Sequence, residues 1–172
     1  MLSFEGYRVC TIGYGGRTIE ALLQQMHEHN IHLLADVRSA PYSRYQPSFS
    51  RDALARSVRA AGMRYSFLGK ELGGRPQDPT CYDSKGHVVY ERVRAKSFFR
   101  EGMARLLDAC KNGLTPCLLC AEVDPSRCHR TAMVGEALQE AGAEVVHLLK
   151  DGTTKSQSAV MLDRGSGQYS LF

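Results

Sequence analysis

The sequence predicts an α/β fold: a three-layer helix/sheet/helix sandwich around a mostly parallel sheet of about five strands. Three observations carry this. Short apolar runs alternate with stretches of helical periodicity along most of the 172 residues. Hydrophobic residues make up 43%, enough to build a core and against wholesale disorder. The apolar pattern then fades after residue 149, which places a single domain at 1–149 and a flexible tail at 150–172.

The elements follow in order. Residues 8–12 form a short apolar strand that runs into Gly13-Tyr14-Gly15-Gly16-Arg17. Thr18 caps a helix whose apolar stripe is Ile19, Leu22, Leu23 and Met26, and Asn30 closes it. Residues 31–37 are a second strand, ending in Asp36-Val37-Arg38. After a polar loop with Pro41 and Pro47, Ser50 caps a helix that stops at Gly62, and residues 63–68 form a third strand. Residues 69–95 are a Gly-, Pro- and charge-rich insertion, too long for a routine connection and therefore a functional or lid segment. Ser97 opens a helix through Phe99, Met103 and Leu106. Residues 114–120 are the fourth strand, Asp124-Pro125 starts a helix reaching Gly142, and residues 144–149 are the fifth strand.

The charge of +4 is unevenly spread, and 16 of the 22 basic residues are arginine, whose planar fork suits phosphate and carboxylate. Residues 36–75 hold an excess of basic side chains, so the remainder is close to neutral. This is either a solvated arginine-rich surface or an anion-binding face. No apolar run is long enough for a membrane helix, and the N-terminus shows no charged-then-apolar leader; no membrane partner and a cytoplasmic setting are expected. There the six cysteines, at 10, 81, 110, 117, 120 and 128, are expected as reduced thiols.

Chemistry concentrates after the fourth strand, in Cys120-Ala121-Glu122-Val123-Asp124-Pro125-Ser126-Arg127-Cys128-His129-Arg130. Cys117 and Cys120 lie three apart on a strand and so face opposite sides, which argues against a shared metal. A regular helix would put Arg127 and Arg130 on its sheet-facing stripe, beside a helix N-terminus, and an anion is expected there. The same terminus and arginines would lower the thiol pKa of Cys120, giving it a sharper claim than Cys128 to be a nucleophile, with a buried, inert Cys120 as the equal alternative. Cys128 and His129 fall outside that stripe, as either a half-buried thiol and a surface histidine or, at the same site, a second candidate nucleophile or redox-sensitive thiol and an anion-binding imidazole. The strand–Cys–loop–Arg–helix layout is similar to that of cysteine phosphatases and sulfurtransferases, although Arg127 follows six intervening residues rather than five. At the second strand's end, Asp36, Arg38, Ser43 and Arg44 suit phosphate or nucleic-acid binding. Asp36 and Glu122 are the acid/base candidates. The Gly13–Gly16 turn is not a sound dinucleotide fingerprint, and the sequence identifies no cofactor.

The chain ends Gln168-Tyr169-Ser170-Leu171-Phe172, which resembles the bacterial sliding-clamp-binding pentapeptide with Tyr169 in place of the usual leucine. That resemblance implies hydrogen bonds to the amide of Gln168 and apolar subsites for Leu171 and Phe172. Thr11-Ile12-Gly13-Tyr14, Asp36-Val37-Arg38-Ser39-x-Pro41-x-Ser43-Arg44, Leu72-Gly73-Gly74 and Cys120-Ala121-Glu122 followed by Arg127-Cys128-His129-Arg130 together resemble the domain-of-unknown-function family 488 (DUF488). This implies an α/β domain with these motifs around one site, in a bacterial DNA-processing context, and supplies no substrate. The leading expectation is a protein that binds or acts on nucleic acid, DNA foremost, and is recruited to the sliding clamp by its C-terminus. The alternatives are a cysteine-dependent small-molecule enzyme, phosphatase-like or sulfurtransferase-like, and a non-catalytic ligand-binding module.

Overall fold

A computed structural model describes residues 2–169. Six strands, β1 (Arg8–Gly13), β2 (Leu33–Asp36), β3 (Arg64–Phe67), β4 (Pro116–Cys120), β5 (Glu144–Leu148) and β6 (Thr154–Ser156), form one sheet in the order β3-β2-β4-β1-β5-β6. All pairings are parallel except β5 with β6. The helices are α1 (Ile19–Glu28), α2 (Arg51–Ala60), α3 (Gly69–Leu72), α4 (Tyr90–Arg94), α5 (Ser97–Lys111), α6 (Glu136–Glu140) and α7 (Gln157–Tyr169). None of them is long and apolar enough to cross a membrane among the described residues.

The central strands are apolar at nearly every position because both of their faces are covered. Along β4 the pleat sends Leu118 into a core cluster with Leu106 of α5 and Leu138 of α6. Cys117 and Leu119 point into the other cluster, with Leu22 and Met26 of α1 and Leu54 and Val58 of α2. The α1 cap is as expected, Thr18 accepting the Ala21 N–H. The chain leaves β2 toward α2 and leaves β4 toward α6, which belong to different clusters. Their exit loops therefore diverge, and the crevice between them opens at the strands' C-terminal ends.

Two expectations need correction. The helix after β4 does not run on from Asp124-Pro125. Those residues make a single 3-10 turn (Pro125–Arg127), capped by the Asp124 side chain on Ser126 N. Cys128 then returns to extended backbone, φ −121° and ψ 145°. The helix restarts as a π-helical turn (Arg130–Gly135) that leads into α6. Nor is 150 onward a free linker. Strand β6 pairs with β5 from Val146↔Ser156 to Leu148↔Thr154, and Gln157 and Val160 of α7 are buried. An exposed edge strand needs only backbone pairing, so Thr154-Lys155-Ser156 carries no apolar signal to be read. The sheet accordingly has six strands. Leu171 and Phe172 of the clamp-like pentapeptide lie outside the described residues.

Candidate functional site

A cleft of about 410 Å³ opens at the C-terminal ends of β1, β2 and β4. Tyr14 comes from the turn after β1, and Arg38 and Tyr42 from the loop after β2. The 69–95 insertion supplies Gly74, Arg75 and Tyr90. The β4 exit supplies Cys120, Glu122, Arg127, Cys128 and His129. A larger hollow of about 660 Å³ beside α5 is lined by Leu2, Phe99 and Met103 with charged residues at its edge, and contains no thiol or imidazole. The chemistry lies in the smaller one.

The break before the π-helical turn shapes the floor. Cys128 sits just ahead of the helix, and the backbone N–H of Arg130 points at its Sγ, 3.5 Å away. Cys120, at the end of β4, lines the same cleft as Cys128 and is close enough to influence its ionisation. Arg130 is fully buried; its Nη1 donates to Cys120 Sγ and to the Glu122 carbonyl, both at 2.7 Å. Burial opposes the charge on Arg130, but the two sulfurs outweigh it and the guanidinium is held more firmly protonated than usual. The ionisation of either thiol affects the other. The hydrogen bond from Cys120, followed by Arg130, overcomes burial and brings Cys128 down to about 7, while burial foremost pushes Cys120 upward. Cys128 is thus the sulfur of the pair more inclined to ionise.

His129 presents its ring to the same place. Its Nε2 donates to the Val37 carbonyl at 3.0 Å, which leaves Nδ1 as the acceptor, 3.7 Å from Cys128 Sγ. Burial lowers its pKa and favours the neutral ring. Gly74 lies against this imidazole so closely that a Cβ there would stand 2.9 Å from His129 Cγ.

Behind the cleft, Arg130 is held by a buried relay that the sequence motifs do not include. Its Nε donates to Thr11 Oγ1 (3.2 Å), Thr11 donates to His147 Nδ1 (2.6 Å), and His147 Nε2 donates to Gln157 Oε1 (2.7 Å). Gln157 Nε2 closes the relay on the Thr131 carbonyl. Burial lowers His147 to about 4, so the ring is neutral and its two nitrogens have fixed roles. The available signal was polarity in the wrong place: Thr11 and His147 interrupt apolar strands, and a polar side chain there needs a partner.

The Asp36 cluster is arranged differently from the expectation. Asp36 is fully buried, takes Arg38 Nε and Nη2 at 2.8 Å each, and accepts the Tyr65 hydroxyl at 2.5 Å. Both oxygens are occupied, so it anchors Arg38 and is not poised as an acid or base. Arg38 in turn donates to the Phe49 carbonyl and lies over the Tyr14 ring, which stacks on Phe49. It walls the cleft with most of its hydrogen-bonding capacity already used. Ser43 is a turn residue whose Oγ accepts the Gln46 N–H, and Arg44 is exposed over the Tyr45 ring, outside the cleft lining. Arg127, freed from the helical stripe by the break at Cys128, is exposed at the cleft with Arg75 and Glu122. Neither arginine makes an ion pair among the described residues. No group of three or more His, Cys, Asp or Glu among them is placed to hold a metal ion.

In comparison with known proteins, the model of the family described as "Domain of unknown function DUF488" matches residues 18–158. That span takes in the Asp36–Arg44, Leu72–Gly74 and Cys120–Arg130 motifs and begins after the β1 turn. No curated protein and no solved structure matches the chain.

Proposed function

We propose, for a chain that belongs to the DUF488 family and inherits no activity from that family's description, a cysteine-dependent enzyme acting on an anionic, phosphate-bearing substrate. One observation carries the reading: the Cys128 sulfur sits at a helix start, takes the Arg130 N–H, and opens on a cleft that also holds Cys120 and, at its rim, Arg75 and Arg127. In this reading Cys128 is the nucleophile. The Arg130 guanidinium and Cys120 hold the negative charge before attack. Where Cys128 enters as a thiol, its proton passes to Nδ1 of His129; the bond from sulfur to the electrophilic centre forms as the bond from that centre to the leaving group breaks, and the leaving group takes the proton from His129. Arg75 and Arg127 take the substrate's anionic group, and Glu122 is the carboxylate at the mouth.

The test is the pH profile of iodoacetamide alkylation at Cys128, read by peptide mass spectrometry. A midpoint near 7 is expected; one at about 8.5, the value of an unperturbed thiol, refutes the activated nucleophile. A 5′-phosphorylated oligonucleotide should slow alkylation of the wild type and lose that effect in the Arg75→Ala/Arg127→Ala double variant.

A second reading, nucleic-acid binding with DNA foremost, draws on the loop after β2. Tyr42 is 73% exposed, Tyr45 is 89% exposed, and the Arg44 guanidinium lies 5.8 Å from the Tyr45 ring centre. Exposed aromatics interleaved with arginine suit base stacking beside a phosphate track. If so, Tyr42→Ala/Tyr45→Ala weakens single-stranded DNA binding by about tenfold, on the scale of 1–3 kcal/mol per stacked base. Unchanged affinity eliminates the loop as the binding face.

A further inference from the structure

We propose that Cys120 and Cys128 are a redox-active dithiol that exchanges electrons with small-molecule disulfides, Cys128 as the attacking and Cys120 as the resolving thiol. The proposal rests on the reading of Cys128 as the reactive sulfur and adds a second activity to it.

The geometry sets this pair apart from the other four cysteines. Both cysteines line one cleft, and each sulfur takes a hydrogen bond from Arg130, one from the side chain and one from the backbone. Seven residues separate them, spanning a turn and an extended residue rather than a continuous helix. Cys10 and Cys117 instead face the core on the α1/α2 side, Cys81 and Cys110 on the opposite side. Burial pushes Cys10 and Cys110 up to about 11 and raises Cys117 and Cys81 as well. Nothing in their surroundings activates them.

The chemistry closes in two exchanges. The Cys128 thiolate attacks one sulfur of R–S–S–R; the S–S bond breaks, R–S⁻ leaves, and a mixed disulfide remains on Cys128. Cys120 then gives up its proton as its sulfur attacks that of Cys128, and the second R–S group leaves with the proton as RSH. The protein dithiol has lost two electrons, and the small disulfide has gained them. Arg130 biases the equilibrium. In the reduced state its charge faces a thiolate, whereas the Cys120–Cys128 disulfide carries no charge to answer it. The reduced form is therefore favoured and the disulfide is readily reduced, an oxidising couple by the logic that a stabilised thiolate makes a better leaving group.

The experiment equilibrates the full chain in glutathione buffers of increasing oxidised fraction, quenches in acid, and alkylates under denaturing conditions before mass spectrometry. The expected result is joint loss of the Cys120 and Cys128 alkylation sites, with a two-hydrogen mass deficit and no glutathione adduct, while the other four cysteines stay alkylatable. Cys120→Ser should stall with one glutathione on Cys128, and Cys128→Ser should leave Cys120 unmodified in the same buffer. A stable glutathione adduct on wild-type Cys128, with Cys120 still free, overturns the dithiol while leaving the nucleophile intact. A Cys128 that neither alkylates near pH 7 nor reacts with the disulfide overturns both. The wild-type measurement decides the question even if either serine variant fails to fold.

Discussion

His147 shows how much a single buried residue can impose. It is fully buried in β5, accepts from Thr11 and donates to Gln157, and only the neutral ring can do both. Its folded pKa, about 4, lies below the 6.5 of a free imidazole. The unfolded chain therefore binds a proton first as the medium acidifies. The stability this provides is complete above pH 6.5 and is lost as pH falls through about 4, amounting to about 3 kcal/mol if the whole shift is realised. Urea melts of wild type and His147→Gln between pH 7 and 4 should show the wild type losing more stability than the variant. Parallel pH slopes would refute the assignment. Arg130, at the other end of the relay, illustrates why an arginine in a helical stripe needed an anion: the sulfur of Cys120 supplies the acceptor that sequence reasoning expected from a bound ligand.

At the scale of elements, the site exists because three segments meet with almost no space between them. The β1 turn docks on the β4 exit through Tyr14 N to the Cys120 carbonyl and Gly15 N to the Ala121 carbonyl. Gly13 makes that approach possible, since a Cβ there would stand 1.8 Å from the Glu122 oxygen. Gly13→Ala should displace the 121–123 segment, break the Arg130 contact with the Glu122 carbonyl, and cost about 3 kcal/mol by the overpacking scale. Chemical denaturation measures the loss, and Cys128 alkylation at pH 7 should slow with it. A variant as stable as wild type would show that this packing is not tight. The π-helical turn matters for the same reason. Its added residue lets the helix start late, so that Cys128 and His129 sit ahead of it facing the cleft while Thr131 meets Gln157 of α7.

For the whole molecule, the sheet order puts β1 between β4 and β5, so motifs more than a hundred residues apart in sequence share one edge. Recruitment to a sliding clamp is a proposal at this scale, resting on the C-terminal Gln168-Tyr169-Ser170-Leu171-Phe172. Because β6 and α7 take up most of the segment expected as a flexible tail, the first two residues of the pentapeptide, Gln168 and Tyr169, are the last two of α7. Removing these five residues should abolish co-elution with a purified bacterial clamp and leave Cys128 alkylation unchanged; retained co-elution refutes recruitment. The sequence alone determined the α/β class, the parallel strands β1 to β5, the side-chain cap at Thr18, and the gathering of most of its motif residues at one sheet edge. Each of these follows from local periodicity or from residues adjacent in the chain. It did not reveal that Asp36 is spent on Arg38 and Tyr65, that Cys128 rather than Cys120 carries the activated sulfur, or that Thr11, His147 and Gln157 hold Arg130. Tertiary structure decided those points, because a buried polar group takes its role from the partners the fold brings within 3 Å of it, and those partners came from four different strands and a helix that no periodicity in the chain could pair.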